Sequence, residues 1–316
     1  MSNILVTAIG SFSAETVINN LHKANHKIVG MDIYPKEWVA NSLIVDVFYQ
    51  SPYATDESRY VDSLLKICKD EMIDYIMPLT DVEVDVINEK RALFEDVIIC
   101  LPKEETINVC RDKYKLYNFL LDKGVECLIP TQKVEADMRD WNQFPAVVKP
   151  MGGRSSEGLY YVKNSDELFT HIKNDGLNDY IIQPKIEGMV LTVDVLRSEE
   201  FFTATPRMEL LRTKNGAGTT VRVFKDDKLI QTVKQIAEAL DIKGCVNFEF
   251  IKMNDGEYKF LECNPRFSAG VAFSCLAGYD YVTNHYNCHS QKKIDDKTDI
   301  REMTVARKYA EYVMDV

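Results

Sequence analysis

Hydrophobic positions change their period along the chain. Residues 4–8 form a continuous apolar run, and residues 14–24 place Val17, Ile18 and Leu21 on one face of a helical period. A second apolar run covers residues 27–32. Residues 60–69 and 82–94 repeat the helical pattern, and residues 75–78 and 97–101 the strand pattern. This βαβα alternation predicts a parallel sheet with helices on both faces. Ligands in such sheets lie beyond the C-terminal strand ends, here Gly10 to Ser13, Asp32 and residues 80–83. Gly10 is the only glycine between Ile9 and Ala14, so the G-x-G-x-x-G fingerprint of a dinucleotide site is missing. Gly10 reads instead as a strand-to-helix turn.

From Thr106 the pattern changes. Residues 112–121 read as a helix carrying Lys113, stopped by Gly124 and Pro130. Residues 144–150 read as a strand with Lys149 near its end. A glycine-rich turn over 151–158 joins it to a strand over 159–162. Strand, glycine-rich turn, strand suits a flap that covers phosphates with backbone N–H groups, although a plain hairpin loop has the same pattern. It is not a P-loop, because no G-K-[ST] opens a helix. An apolar strand from Tyr180 runs into the polar joint Gln183-Pro184-Lys185-Ile186-Glu187-Gly188, and residues 191–196 form another strand. Residues 203–220 hold Arg207, Arg212 and Lys214. An amphipathic helix is expected over 228–240, and the polar stretch 292–301 reads as a surface loop.

The sharpest chemical signal is a hairpin. Residues 247–253 and 258–264 flank Asn254-Asp255-Gly256-Glu257, and Asp-Gly between apolar-rich runs signals a two-residue turn. With Asp255 and Gly256 as the loop, Asn254 pairs with Glu257. Glu249 then lies opposite Glu262, and Asn247 opposite Asn264, all on one face. Directly opposed like charges destabilise a sheet, so a cation is expected between them. Two carboxylates and an amide oxygen are hard ligands that suit Mg²⁺ rather than zinc. The competing reading is a solvated face with two unrelated acids.

Composition narrows the classes. The 316 residues, 46% hydrophobic, are enough for one large or two to three small domains with a substantial core. The 38 basic against 49 acidic residues, a net charge of −11, argue against nucleic acid as the main partner. No stretch reaches the ~18 to 20 apolar residues of a membrane span, and the N-terminus lacks the basic and apolar regions of a secretory signal. The eight cysteines form no C-x-x-C pair, which fits a reduced, cytoplasmic protein. His22 and His26 stand four apart without a third partner and read as surface residues.

These motifs, in this order, resemble the ATP-grasp family, in particular the ATP-binding half of carbamoyl phosphate synthetase. The stretches that carry the resemblance are 144–149, the glycine turn and Leu261-Glu262-Cys263-Asn264-Pro265-Arg266-Phe267-Ser268, which is similar to the family's E-x-N-P-R segment. The resemblance spans nearly the whole chain. It implies an α/β Rossmann-like domain over 1–104 and an α+β ATP-grasp domain over 105–316, divided into a flap-bearing part (105–186) and a metal-binding part (187–316).

The roles that follow are implied by the resemblance. Lys113 and Lys149 would reach the ATP phosphates, with Gly152, Gly153, Ser155, Ser156 and Gly158 as the flap. Gln183, Pro184, Lys185, Ile186 and Glu187 would form the adenine hinge. Glu249, Glu262 and Asn264 would hold Mg²⁺, or Mn²⁺ in its place. Arg207 and Arg266 would be the catalytic basic residues near the γ-phosphate and the acyl acceptor. Two departures stand out: the hinge reads Gln183-Pro184 where relatives carry Q-E, and Met189, Val190 and Leu191 follow Gly188 where relatives carry a ribose-binding acid. The implied activity is ATP-dependent ligation of an amino acid or small carboxylate with an amine through an acyl phosphate, by a homodimer. A nucleotide-binding regulatory protein with little catalysis is the alternative. Ser11, Thr80, Asp81, Glu83, Arg266 and Ser268 are expected to line the acceptor site, with Asp81 or Glu83 taking an ammonium group.

Overall fold

The computed structural model describes residues 1–153, 158–214 and 216–314. The early apolar runs become five parallel strands: β1 (Asn3–Val6), β2 (Lys27–Asp32), β3 (Val47–Gln50), β4 (Tyr75–Met77) and β5 (Ile98–Ile99), in the order β3-β2-β1-β4-β5. Alternation along the strands sorts two cores. Ile4, Val6 and Ile28 pack with Val17, Ile18 and Leu21 of α1 (Ala14–Lys23). Leu5, Val29 and Ile76 pack with Tyr60, Leu64 and Ile67 of α2 (Glu57–Asp70) on the opposite face. The next helix, α3 (Asp81–Glu89), is shorter than the pattern over 82–94 suggests. Arg91 leaves it to donate to Asn88 Oδ1 at 2.9 Å and Pro102 O at 2.5 Å. Asp32 accepts from the Gly10 N–H at 2.7 Å, so the acid ending β2 is spent on the β1–α1 turn.

Helices α4 (Glu104–Cys110) and α5 (Lys113–Asp122) lead to an antiparallel sheet of β6 (Gln132–Lys133), β7 (Ala146–Pro150), β8 (Tyr160–Val162) and β9 (Tyr180–Pro184), ordered β6-β9-β7-β8. Between β8 and β9, α6 (Ser165–Asp175) is capped by Asn164, whose side chain accepts from Glu167 N. The third sheet contains β10 (Gly188–Arg197), β11 (Phe202–Arg212), β12 (Gly218–Val223), β13 (Gly244–Met253), β14 (Tyr258–Asn264) and β15 (Met303–Ala306), ordered β14-β13-β10-β11-β12-β15. On one face Leu191, Val193, Phe248 and Phe250 bury against Leu229, Val233 and Ile236 of α7 (Asp227–Ala239). The other face looks toward the four-stranded sheet. Helices α8 (Val271–Leu276) and α9 (Tyr281–Ser290) join this sheet to the first core through Val271, Tyr281 and Tyr286. His26, expected at the surface, is 5% exposed. It accepts from Ser2 N at 3.2 Å and packs, its ring tilted by 56°, against Tyr286, a residue of α9.

The β13–β14 hairpin pairs Glu249 with Glu262 and Asn247 with Asn264, as expected, but through a different turn. Met253 N donates to Glu257 O at 2.8 Å, so the loop has three residues, Asn254 to Gly256, with Gly256 at φ +89°. That turn alone would set the strands one residue out of the anticipated register. A bulge between Phe260 and Glu262 adds one residue on β14 and restores the carboxylate pair. The extra residue, Leu261, lines the cleft between the sheets. Beside the turn, Gly188 pairs with Met253 and permits close approach of β10 to β13: a Cβ there would stand 2.3 Å from Lys252 O.

Candidate functional site

A cleft of about 520 Å³ lies between the six- and four-stranded sheets, closed at one end by α3. Its floor follows from strand register. Glu262 pairs with Glu249, Glu249 with Thr192, and Thr192 with Arg207, so these four residues form one row across the sheet. The next row holds Asn264, Asn247, Asp194 and Thr205. Residues directly opposite in a ladder share a face. Burial, reinforced by Glu262, pushes the Glu249 carboxyl up to about 8. Arg212 Nη2 stands 3.7 Å from Glu249 Oε2 and opposes that rise. Asn264 Nδ2 donates to Glu262 Oε1 at 3.1 Å. Asn247 Oδ1 is buried with no hydrogen-bond partner among the described residues. An oxygen-only set with two crowded carboxylates and an orphaned amide oxygen fits a hard divalent cation.

The ceiling comes from β7, β9 and α5. Val147 and Lys149 alternate with core residues, and Val147 pairs with Gln183. Lys149 is 8% exposed, and burial brings its ammonium down to about 8 against the pull of Glu262 and Glu249, with Lys113 pushing the same way as burial. Asp112 caps α5, accepting from Tyr114 N and Lys115 N at 2.9 Å each, and this presents Lys113 at the helix start. Lys113 N donates to Met151 O at 2.9 Å, tying the helix to the base of the glycine turn. If the cleft holds MgADP, as the ATP-grasp resemblance implies, replacing Lys149 by Ala should weaken its binding about 10- to 100-fold, the usual worth of a hydrogen bond to a charged group. Titration calorimetry would measure this, and an unchanged affinity would remove Lys149 from the phosphate site.

Most of the residues singled out from the sequence meet here. Lys113, Lys149, Gly152, Gly153, Gln183, Pro184, Lys185, Ile186, Arg207, Glu249, Glu262, Asn264 and Arg266 line the cleft. Ser155 and Ser156 lie outside the described residues. Gly158 does not line the cleft and adopts φ +70° beside Pro150 and Tyr180. Glu187 is a correction to the hinge: its side chain is 77% exposed, 3.8 Å from Lys185 Nζ, and outside the cleft lining. Gln183 does not present its amide freely, since Nε2 donates to Thr131 Oγ1 at 2.8 Å.

The acceptor end differs more. Glu83 is buried away from the cleft and accepts from Thr7, Thr80 and Tyr60 hydroxyls at 2.8, 2.7 and 3.1 Å. Ser11 and Thr80 also lie outside the lining. Asp81 lines it, but Arg266 binds Asp81 with two bonds, 3.0 and 2.6 Å, and Arg111 adds a third at 3.4 Å. The expected ammonium receptor and the expected carboxylate receptor thus neutralise each other. Arg207 is fully buried: Nη1 donates to Asp194 and Ser274, and Nη2 to Ser268 Oγ at 3.0 Å. Thr192, Glu209, Arg212 and Asn247 line the cleft without having been assigned a role from the sequence. The polar alternation Thr203, Thr205, Arg207, Glu209 against Ala204, Pro206 and Met208 was the available signal for that face of the strand, where Arg207 and Glu209 line the cleft.

A family model described as an ATP-grasp domain matches residues 110–270, half of the chain. The chain belongs to the ATP-grasp family. A second model, the N-terminal domain of PylC-like proteins, matches residues 4–101. The D-alanine–D-alanine ligase of Aquifex aeolicus is 29% identical over 140 residues, 40% of this chain and 47% of that protein. The carbamoyl phosphate synthase large chain of Clostridium beijerinckii is 28% identical over 144 residues, 42% of this chain and 13% of that one. This ATP-grasp chain therefore spans less than half the length of these curated relatives. The biotin carboxylase of Campylobacter jejuni shares the fold with a TM-score of 0.79 over 96% of this chain and 74% of that chain, at 15% identity.

Proposed function

We propose that this ATP-grasp protein is an ATP-dependent carboxylate–amine ligase for small molecules. The observation that carries the reading is the Glu249–Glu262 pair lying in the cleft that Lys113 and Lys149 roof. A carboxylate is a poor electrophile. In the proposed reaction its oxygen attacks the γ-phosphorus of ATP, ADP leaves, and the acyl phosphate then loses phosphate to an attacking amine. Lys113 and Lys149 would bind phosphate oxygens, and the Arg266–Asp81 pair would shape the acceptor end. Glu249, Glu262 and Asn264 would hold Mg²⁺, or Mn²⁺, which supplies charge neutralisation for the phosphates when bound. The enzyme's work is positioning and electrostatics, so no protein nucleophile is needed.

One observation favours a second reading, a nucleotide-responsive binding protein. The position after Gly188 carries Met189, 43% exposed, instead of an acid for the ribose. The test is ADP release with Mg²⁺ and ATP against pooled amino acids and small carboxylates. Release that requires one carboxylate and one amine supports the ligase. MgADP binding with no release from any pool supports the second reading.

A further inference from the structure

Arg207 and Arg266, the basic residues expected near the γ-phosphate and the acceptor, are spent on Asp194 and Asp81. A third arginine of the cleft is differently placed. Arg212 Nη2 stands 3.7 Å from Oε2 of Glu249, one of the two opposed carboxylates. We propose that Arg212 is a phosphate-positioning residue that changes partners: it neutralises Glu249 in the metal-free protein, and turns to the terminal phosphates of the nucleotide when Glu249 binds a divalent cation. The proposal rests on the nucleotide part of the ligase reading and adds a residue to it.

Local structure aims Arg212 into the cleft. Arg207 and Glu209 line it, so plain alternation along β11 would send Leu211 inward and Arg212 outward. Leu211 is instead 61% exposed, and Arg212 lines the cleft. The cause lies in the β11–β12 pairing, whose register shifts between Glu209 and Leu211 and again between Leu211 and Arg212. Bulges of this kind re-aim a side chain. The loop beyond fixes one edge of the guanidinium. Arg212 Nε donates to Gly216 O at 2.9 Å, and Gly216 lies close at φ +85°, where a Cβ would stand 3.3 Å from Nη2. Thr213 N donates to Ala217 O at 2.8 Å and closes the loop. The Arg212 side chain is 29% exposed, against 1% for Arg207, so it can turn without breaking a buried pair.

Electrostatics supply the reason to turn. Among the described residues no other ion pair reaches Glu249 or Glu262. A divalent cation there carries the charge that Arg212 provides without it, and two cations on one carboxylate repel each other. A phosphate oxygen that shares the cation with Glu249 becomes a neighbour of that carboxylate, within reach of a guanidinium already beside it. The planar fork of arginine suits phosphate oxygens. Lys113 and Lys149 approach from the ceiling and Arg212 from the β11 side, so the terminal phosphates would be held from two directions.

The experiment uses wild type, Arg212→Met and Arg212→Lys. Mn²⁺ alone is titrated by electron paramagnetic resonance, and a nonhydrolysable ATP analogue with Mg²⁺ by calorimetry. Arg212→Met should bind Mn²⁺ alone about 2- to 5-fold more tightly, because the competing cation is gone. It should bind the triphosphate about 10- to 100-fold more weakly, the worth of a charge-assisted hydrogen bond. Arg212→Lys should recover part of the triphosphate affinity. A gain for the metal with a loss for the triphosphate is a pair of opposite signs that structural damage does not produce. Equal affinity of wild type and Arg212→Met for Mn²⁺, or for the triphosphate, overturns the proposal. Weaker binding of both overturns it too, because Arg212 would then support the fold of the cleft. A wild type that binds neither Mn²⁺ nor nucleotide fails the nucleotide reading itself.

Discussion

Glu262→Gln should lower nucleotide turnover by about three orders of magnitude, or ~4 kcal/mol of transition-state stabilisation. The substitution keeps the size of the side chain and removes one of the two opposed carboxylates. The metal-free protein should not suffer. Glu262 helps to push the Glu249 carboxyl up to about 8, so removing its charge relieves a repulsion the fold now carries. The melting temperature without Mg²⁺ should rise by about 1–3 °C, and the stabilisation that MgADP confers on wild type should vanish. Thermal melts with and without MgADP, together with ADP release, check both halves. A variant with full turnover would sink the metal assignment. One that melts well below wild type would make Glu262 a structural residue instead.

Arg207→Met should destabilise the protein by roughly 3–5 kcal/mol, because it leaves Asp194 buried and charged without its partner. The double variant Arg207→Met with Asp194→Leu should recover most of that loss, since apolar side chains of similar volume replace a buried pair at little cost. Urea unfolding of the two single variants and the double variant measures the coupling. A single variant as stable as wild type would show that the ion pair does not hold β10 to β11. This separates two roles. From the sequence Arg207 stood as a basic residue near the γ-phosphate, whereas its guanidinium is bonded to Asp194, Ser268 and Ser274. Ser268 lines the cleft, so any effect of Arg207 on turnover would pass through that hydroxyl.

Local periodicity carried much of this protein. Apolar runs and helical spacing determined β1, α1, β2, α2 and α7 to within a few residues, because a strand or helix buries a face whose period is written in its own sequence. The Glu249–Glu262 pairing was legible for a related reason: the two strands are neighbours in the chain. Two departures cancel there, since the three-residue turn and the bulge at Leu261 shift the register in opposite directions. The alternation over 203–209 was equally local, and went unread because Arg and Thr do not stand out as a buried strand face.

Only the tertiary structure could decide what each charge is for. Arg266 meets Asp81 across 185 residues, and His26 meets Tyr286 across the join between two sheets. Arg207 is buried because Asp194 lies on the adjoining strand and Ser274 on α8. A charged side chain has the same letter whether it is paired, solvated or waiting for a ligand. Its state depends on the distance and desolvation of partners that folding brings from elsewhere in the chain. That is why the strand positions of Lys149, Glu249 and Glu262 could be read from the sequence, while the loss of Asp81 to Arg266 and the unpartnered oxygen of Glu209 appeared only in the assembled cleft.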